Sequence, residues 1–248
     1  MERALNSWRN STQGAYTANP STVKFNRSSL TLYRIANITL HTSILDLQIL
    51  AGLPKLMGKP VGEDRVMKAL FHLIHDWANS DGALKAVSHA CKLLNETLFS
   101  KPGHDYVNLR QQRLGAGDGN YGHFQRMDYA LDGILHGKWC LYLATLTLWA
   151  WGVVTQNNPS REGSVSMNGM TYTAGLKMED NDAFNSYQDQ DEITAWNHAQ
   201  YYLKSMAAAA AEKNALATAP ARIETRGLVI TIRNLLIDER WELRIFFQ

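Results

Sequence analysis

Apolar residues recur along most of this chain with the three- and four-residue spacing of helices, and no stretch alternates in the manner of a half-buried strand. The segment SSLTLYRIANITLHTSILDLQILAG reads as one long helix over 28–51, capped by Ser28 or Ser29 and stopped by Gly52, with Pro54 just beyond. On a helical wheel Tyr33, Leu40, Ile44, Leu47 and Ala51 form one apolar stripe, and Ile38, Leu45 and Ile49 a second. Arg34, Asn37, His41 and Gln48 lie between them, so this helix is expected to be embedded among neighbours. Thr39, Thr42, Ser43 and Asp46 leave a further polar side, available to solvent or to cross-links between helices.

After the turn GLPKLMGKPVGED, in which no strand is expected, helical patterns cover 65–79 and 83–99, the second N-capped by Ser80 or Asp81. A glycine-rich connection over 101–132 leads to a helix over 133–153. Two more are expected over 193–211 and 221–238, separated by Thr218, Ala219 and Pro220. Residues 1–27 mix Asn, Ser, Thr, Gly and Pro around isolated aromatics and read as a disordered arm, with order beginning at Ser28. Residues 155–190, poor in aliphatics, read as one long flexible loop. The expectation is an all-α fold: one irregular multi-helix domain over 28–244, with that arm and that loop.

Composition narrows the function more than the fold. The chain has 248 residues, 45% hydrophobic, enough for a substantial core. Its 25 basic and 23 acidic side chains leave a formal charge of +2, without the excess of a domain that neutralises many phosphates by itself. Arg110, Arg113, Arg126, Arg222, Arg226 and Arg233 are scattered, and no nuclear localisation cluster is visible. Cys91 and Cys140 stand alone and far apart, which excludes a disulfide framework and a Cys-x-x-Cys knuckle. Cys91, at helical spacing from Leu84, Val87 and Leu94, reads as a buried thiol. The apolar run WCLYLATLTLWAWGVV is shorter than the roughly 20 residues that span a bilayer and reads as a core helix. The N-terminal stretch MERALNSWRNSTQGAYTANPS is polar and lacks the apolar core of a secretory signal, so secretion is not expected.

The segment LYRIANITLHTSILDLQILAGLPKLMGKPV, followed by WANSDGALKAVSHACKLLNETL, resembles the regulatory domain of fungal transcription factors with two-Cys two-His zinc fingers. WCLYLATLTLWAWG is similar to that family's tryptophan-bearing core helix, and VITIRNLLIDERWEL to its terminal helix. The blocks occur in family order over roughly residues 28–244. The resemblance implies a nuclear, all-helical, non-catalytic domain that regulates RNA polymerase II transcription. Paired Cys and paired His at finger spacing are absent, so DNA and zinc are expected only through a missing finger region, and the chain reads as a fragment of a longer factor. Transcriptional co-regulator proteins and a small-molecule effector are the partners implied, with no membrane.

No catalytic, cofactor-binding or metal residue is therefore assigned. The alternative is an all-helical metal-dependent phosphohydrolase built on the adjacent His75 and Asp76, with His72 on the same helical side and His41, His89 or Asp81 as further ligands. The same pattern describes an ordinary solvated face. The run GAGDGN lacks the Lys-Ser or Lys-Thr ending of a phosphate loop and reads as a flexible connection. Trp77, Trp139, Trp149, Trp151 and Trp196 either fill the core, the preferred reading, or line an effector pocket. Trp241 reads as a helix anchor.

Overall fold

The computed structural model describes residues 1–16, 23–99, 137–156, 188–211, 216, 219 and 224–237. They form an all-α assembly of α1 (Glu2–Tyr16), α2 (Val23–His41), α3 (Ile44–Leu50), α4 (Glu63–Phe71), α5 (Asp81–Leu98), α6 (Gly137–Gln156), α7 (Gln188–Ala211) and α8 (Arg226–Ile237). The glycine-rich connection with its GAGDGN run, most of the expected long loop, and Trp241 lie outside the described residues.

The expected long first helix is broken in two. Ser43 adopts an extended conformation, and its side chain accepts from the Asp46 backbone N–H at 3.4 Å, so that α3 starts afresh. The carbonyl of His41, released at the end of α2, accepts instead from Trp77 Nε1 at 2.9 Å. The stop at Gly52 is as expected. Gly52 has φ +90°, its N–H reaches Ile49 O, and Leu53 N–H reaches Gln48 O, the paired bonds of a Schellman cap.

Within the following turn the structure adds a ribbon the sequence reading omitted: Lys55–Leu56 pairs antiparallel with Lys59–Pro60. Met57 and Gly58 both have positive φ, as a two-residue primed turn requires, and glycine supplies half of that at no steric cost. α4 runs on as a π-helical stretch, His72–Trp77, with Ala78 N–H bonded five residues back to Leu73 O. Ser80, rather than Asp81, caps α5 by accepting from Ala83 N–H at 3.0 Å.

Helix α6 is the centre of the molecule. Cys140, Leu141, Leu143, Ala144, Leu148, Trp151 and Val154 are buried, and α6 touches α2, α3, α5 and α8, as expected of a helix that is apolar all round. No helix among the described residues is long and apolar enough to cross a membrane. Buried Trp151 donates to Ala78 O at 3.1 Å, which satisfies its one polar atom inside the core. α7 and α8 cross closely at Gly227, where a Cβ would meet His198 Cβ at 2.5 Å and Ala195 O at 3.0 Å.

The N-terminal arm is a correction. Glu2–Tyr16 form a helix packed along α2, not a disordered extension. Its inward side presents Glu2, Leu5, Arg9 and Thr12 at three- and four-residue spacing, a stripe with one aliphatic side chain that hydrophobic periodicity does not register. Among its residues with described side chains, 2–12, none belongs to the hydrophobic core.

Candidate functional site

Three helices, α1, α2 and α5, meet along a seam made of polar and charged groups. From α5 come Lys85, His89, Lys92 and Glu96, spaced so that they share one side of the helix, opposite the buried Ala83, Ala86, Val87, Ala90, Cys91 and Leu94. From α2 come Tyr33, Arg34, Asn37 and His41. Arg34 donates to Glu96 Oε1 at 2.7 Å, with the guanidinium side chain 7% exposed and the carboxylate 39%. The Arg34 NH1 lies 3.5 Å from His89 Nδ1. Since a guanidinium has donors only, that imidazole nitrogen faces it as an acceptor and the ring is neutral. Burial, then the charges of Arg34, Lys92, His41 and Arg9, pushes the His89 pKa down to about 4.

Tyr33 is the hub of the seam. Its hydroxyl donates to Asn6 Oδ1 at 2.7 Å, its ring lies 5.0 Å from the Arg9 guanidinium carbon and 6.0 Å from that of Arg34, and His89 meets it edge-on at 5.5 Å. Asn37 returns its amide to Tyr33 O at 2.8 Å. At the other end Glu2 accepts from Lys85 Nζ at 2.9 Å and lies 3.9 Å from His41 Nε2. The Lys85 hydrogen bond holds the Glu2 carboxyl below its ordinary range.

A second polar knot ties α3 to α4. Asp46, buried, accepts from Arg65 at 2.7 Å and lies 3.0 Å from His72 Nδ1, although the latter pair is not aligned as a hydrogen bond. The residues proposed for the hydrolase alternative are thus divided among separate places. His72 faces Asp46, His75 packs against the Phe71 ring at 4.3 Å, and His41 and His89 belong to the seam. Among the described residues no three His, Cys, Asp or Glu side chains converge as a metal set. The geometry does not support a phosphohydrolase using His75 and Asp76.

The thiols are equally inert. Burial pushes Cys91 up to about 12 and Cys140 to about 11, opposite to what a nucleophile needs. Of the five tryptophans considered for a pocket, Trp77 and Trp151 are core and Trp139, Trp149 and Trp196 pack against it, Trp196 edge-on to Phe99 at 4.9 Å and Trp139 stacked on Tyr142 at 5.0 Å. The seam itself was missed by sequence reading, although the α5 half was accessible: Lys85, His89, Lys92 and Glu96 are four polar residues on one side of an otherwise apolar helix.

What this arrangement does chemically is hold side chains by charge and hydrogen bonding. It brings together no nucleophile and base, and no described ligand cage. Comparison with known proteins points the same way. The chain is similar to the nicotinate catabolism cluster-specific transcription factor of Emericella nidulans, 31% identical over 127 residues, which cover 50% of this chain and 12% of that protein. It is also similar to the zinc finger protein klf1 of Schizosaccharomyces pombe, 30% identical over 129 residues, 52% of this chain and 13% of the other. The chain spans about an eighth of the length of these curated relatives. No family model matches it. No solved structure matches it either. These similarities suggest a fungal transcription factor.

Proposed function

We propose that this chain is the helical regulatory domain of a fungal zinc-finger transcription factor, acting in the nucleus on RNA polymerase II transcription and carrying no catalytic activity of its own. The observation that carries this reading is the similarity to two curated fungal proteins, one a transcription factor and one a zinc finger protein by name, each over about half of the chain. The quoted sequence blocks and the all-helical architecture agree with it. DNA contact, and the zinc that goes with it, would belong to a finger module outside this chain. Within it, the domain would restrain an activation segment, recruit co-regulator proteins, or respond to a small molecule.

The test is to tether the full chain to an unrelated DNA-binding domain and read a reporter in a fungal host. A severalfold change in output, lost when the core is broken by Trp151→Ala, is the expected result. A full-length transcript read across the locus should extend into paired Cys and paired His at finger spacing. An unchanged reporter, together with a transcript that encodes no DNA-binding module, would overturn the proposal.

A further inference from the structure

The outer side of α4, with the π-helical stretch that continues it, leaves large apolar groups in solvent. Met67 is 48% exposed and Phe71 60%, four residues apart on one side of the helix. The ring of His75, itself exposed, lies on that of Phe71 at 4.3 Å and extends the strip by another turn. The opposite side belongs to the fold: Ala69, Leu73 and Trp77 are buried, and Arg65 and His72 are turned to Asp46 of α3. One exposed large side chain needs no explanation, but three in a row along two turns mark a contact surface.

Charge decides what fits this strip. Lys68 and Asp76 border it, both exposed and neither paired with another described residue. They stand four residues before and four after His72. In a regular α-helix, residues eight apart point about 80° away from each other. Here the second four lie in the π-helical stretch, whose wider turns take more residues each, so Asp76 returns to the flank that holds Lys68. The stack of Phe71 on His75 records the same alignment. Glu63 and Asp64 lie beyond this pair in the first turn, where carboxylates serve the helix N-terminus. A partner surface of one sign would attract one border residue and repel the other.

We infer that this strip is a docking surface for a second copy of the chain, in antiparallel contact about a twofold axis at the level of His72. Such an axis, set perpendicular to both helices, reverses direction along them and keeps each flank on its own side. It therefore places Lys68 of each copy opposite Asp76 of the other. Between these pairs Met67, Phe71 and His75 of the two copies cover one another, so the strip is self-complementary, as a twofold contact requires. Two turns of helix make a small, transient interface, with a Kd on the order of 100 µM. Nothing in this pairing depends on the transcriptional reading.

The experiment is sedimentation equilibrium of the full chain from about 5 to 500 µM, where a monomer–dimer equilibrium is expected. Phe71→Asp should weaken the dimer at least about tenfold. Lys68→Asp and Asp76→Lys each turn both ion pairs into repulsions, and each should raise Kd about tenfold. Mixed in equal amounts, these two variants should return to within about threefold of the parent Kd, because the like-signed contacts within each become opposite-signed contacts between them. About 0.5 M salt should shrink the differences among parent and reversal variants, as screening requires. All three positions are exposed, so Tm should barely move. A chain that stays monomeric throughout, a dimer indifferent to Phe71→Asp, or a mixture no tighter than its two components overturns the inference.

Discussion

On one side of α5, Ala83, Val87, Ala90, Cys91 and Leu94 are buried in a core shared with α6 and α7; on its polar side, Lys85, His89 and Glu96 meet α1 and α2 through charge and hydrogen bonding. The same eighteen-residue helix therefore serves two kinds of interface. The first gains from every apolar atom removed from water and tolerates no gap. The second gains little from each ion pair but specifies partners by sign and geometry. The apolar side resists any change of packing, whereas the polar side responds to charge and pH.

The contrast predicts a graded series of effects. Trp151→Ala removes the largest fully buried side chain and strands Ala78 O, so it should cost about 3–5 kcal/mol in denaturant unfolding. A much smaller loss would mean that the centre is loosely packed. Gly227→Ala should cost about 1–3 kcal/mol, because the added methyl meets α7 backbone and cannot be relieved by rotating a side chain.

Acid should act on the seam through His89. Its folded pKa, about 4, lies below the ordinary 6.5, so the unfolded chain takes up a proton in that window and the native one does not. Stability should fall as pH drops from about 6.5 towards 4 and level off below, by about 1–2 kcal/mol after allowing for the solvent that reaches the ring. The slope should flatten in His89→Gln, and an unchanged pH profile in that variant would place the effect elsewhere. Because burial is the largest cause of the depression, Arg34→Met should return the His89 titration only partway towards its ordinary value, as imidazole NMR signals would record.

Tyr33→Phe is the mildest change. It removes the hydroxyl that holds Asn6 and should cost about 0.5–1 kcal/mol or less, seen as faster exchange of α1 amides while Tm barely moves. If Tm instead falls as far as for a core variant, α1 is an integral part of the fold and the division between the two faces of α5 fails.

Much of the fold was legible before the structure. The apolar run from Trp139 to Val154 marked the central helix, Gly52 marked a helix end, and Ser80 was one of two named caps. Each of these is a local matter of a few neighbouring residues and their exposure to water. The break before Ile44 was legible too, in Ser43 with Asp46 three residues on, but unbroken helical periodicity on both sides concealed it. For the candidate site less was visible. His72, His75, His41 and His89 all attracted a metal reading, and sequence spacing offered no means of telling which would be neighbours.

By itself the sequence determined that the chain is helical, which helix is apolar all round, and that Cys91 is a buried thiol, because periodicity and hydrophobicity act through local geometry and transfer from water. Only the tertiary structure decided that Glu2–Tyr16 is a docked helix, that Asp46 meets Arg65 and His72, and that Arg34 and His89 face each other across the seam. Charged and hydrogen-bonding pairs are made between residues far apart in sequence, and their energy depends on separations of a few ångströms. Those separations exist only once the helices have packed.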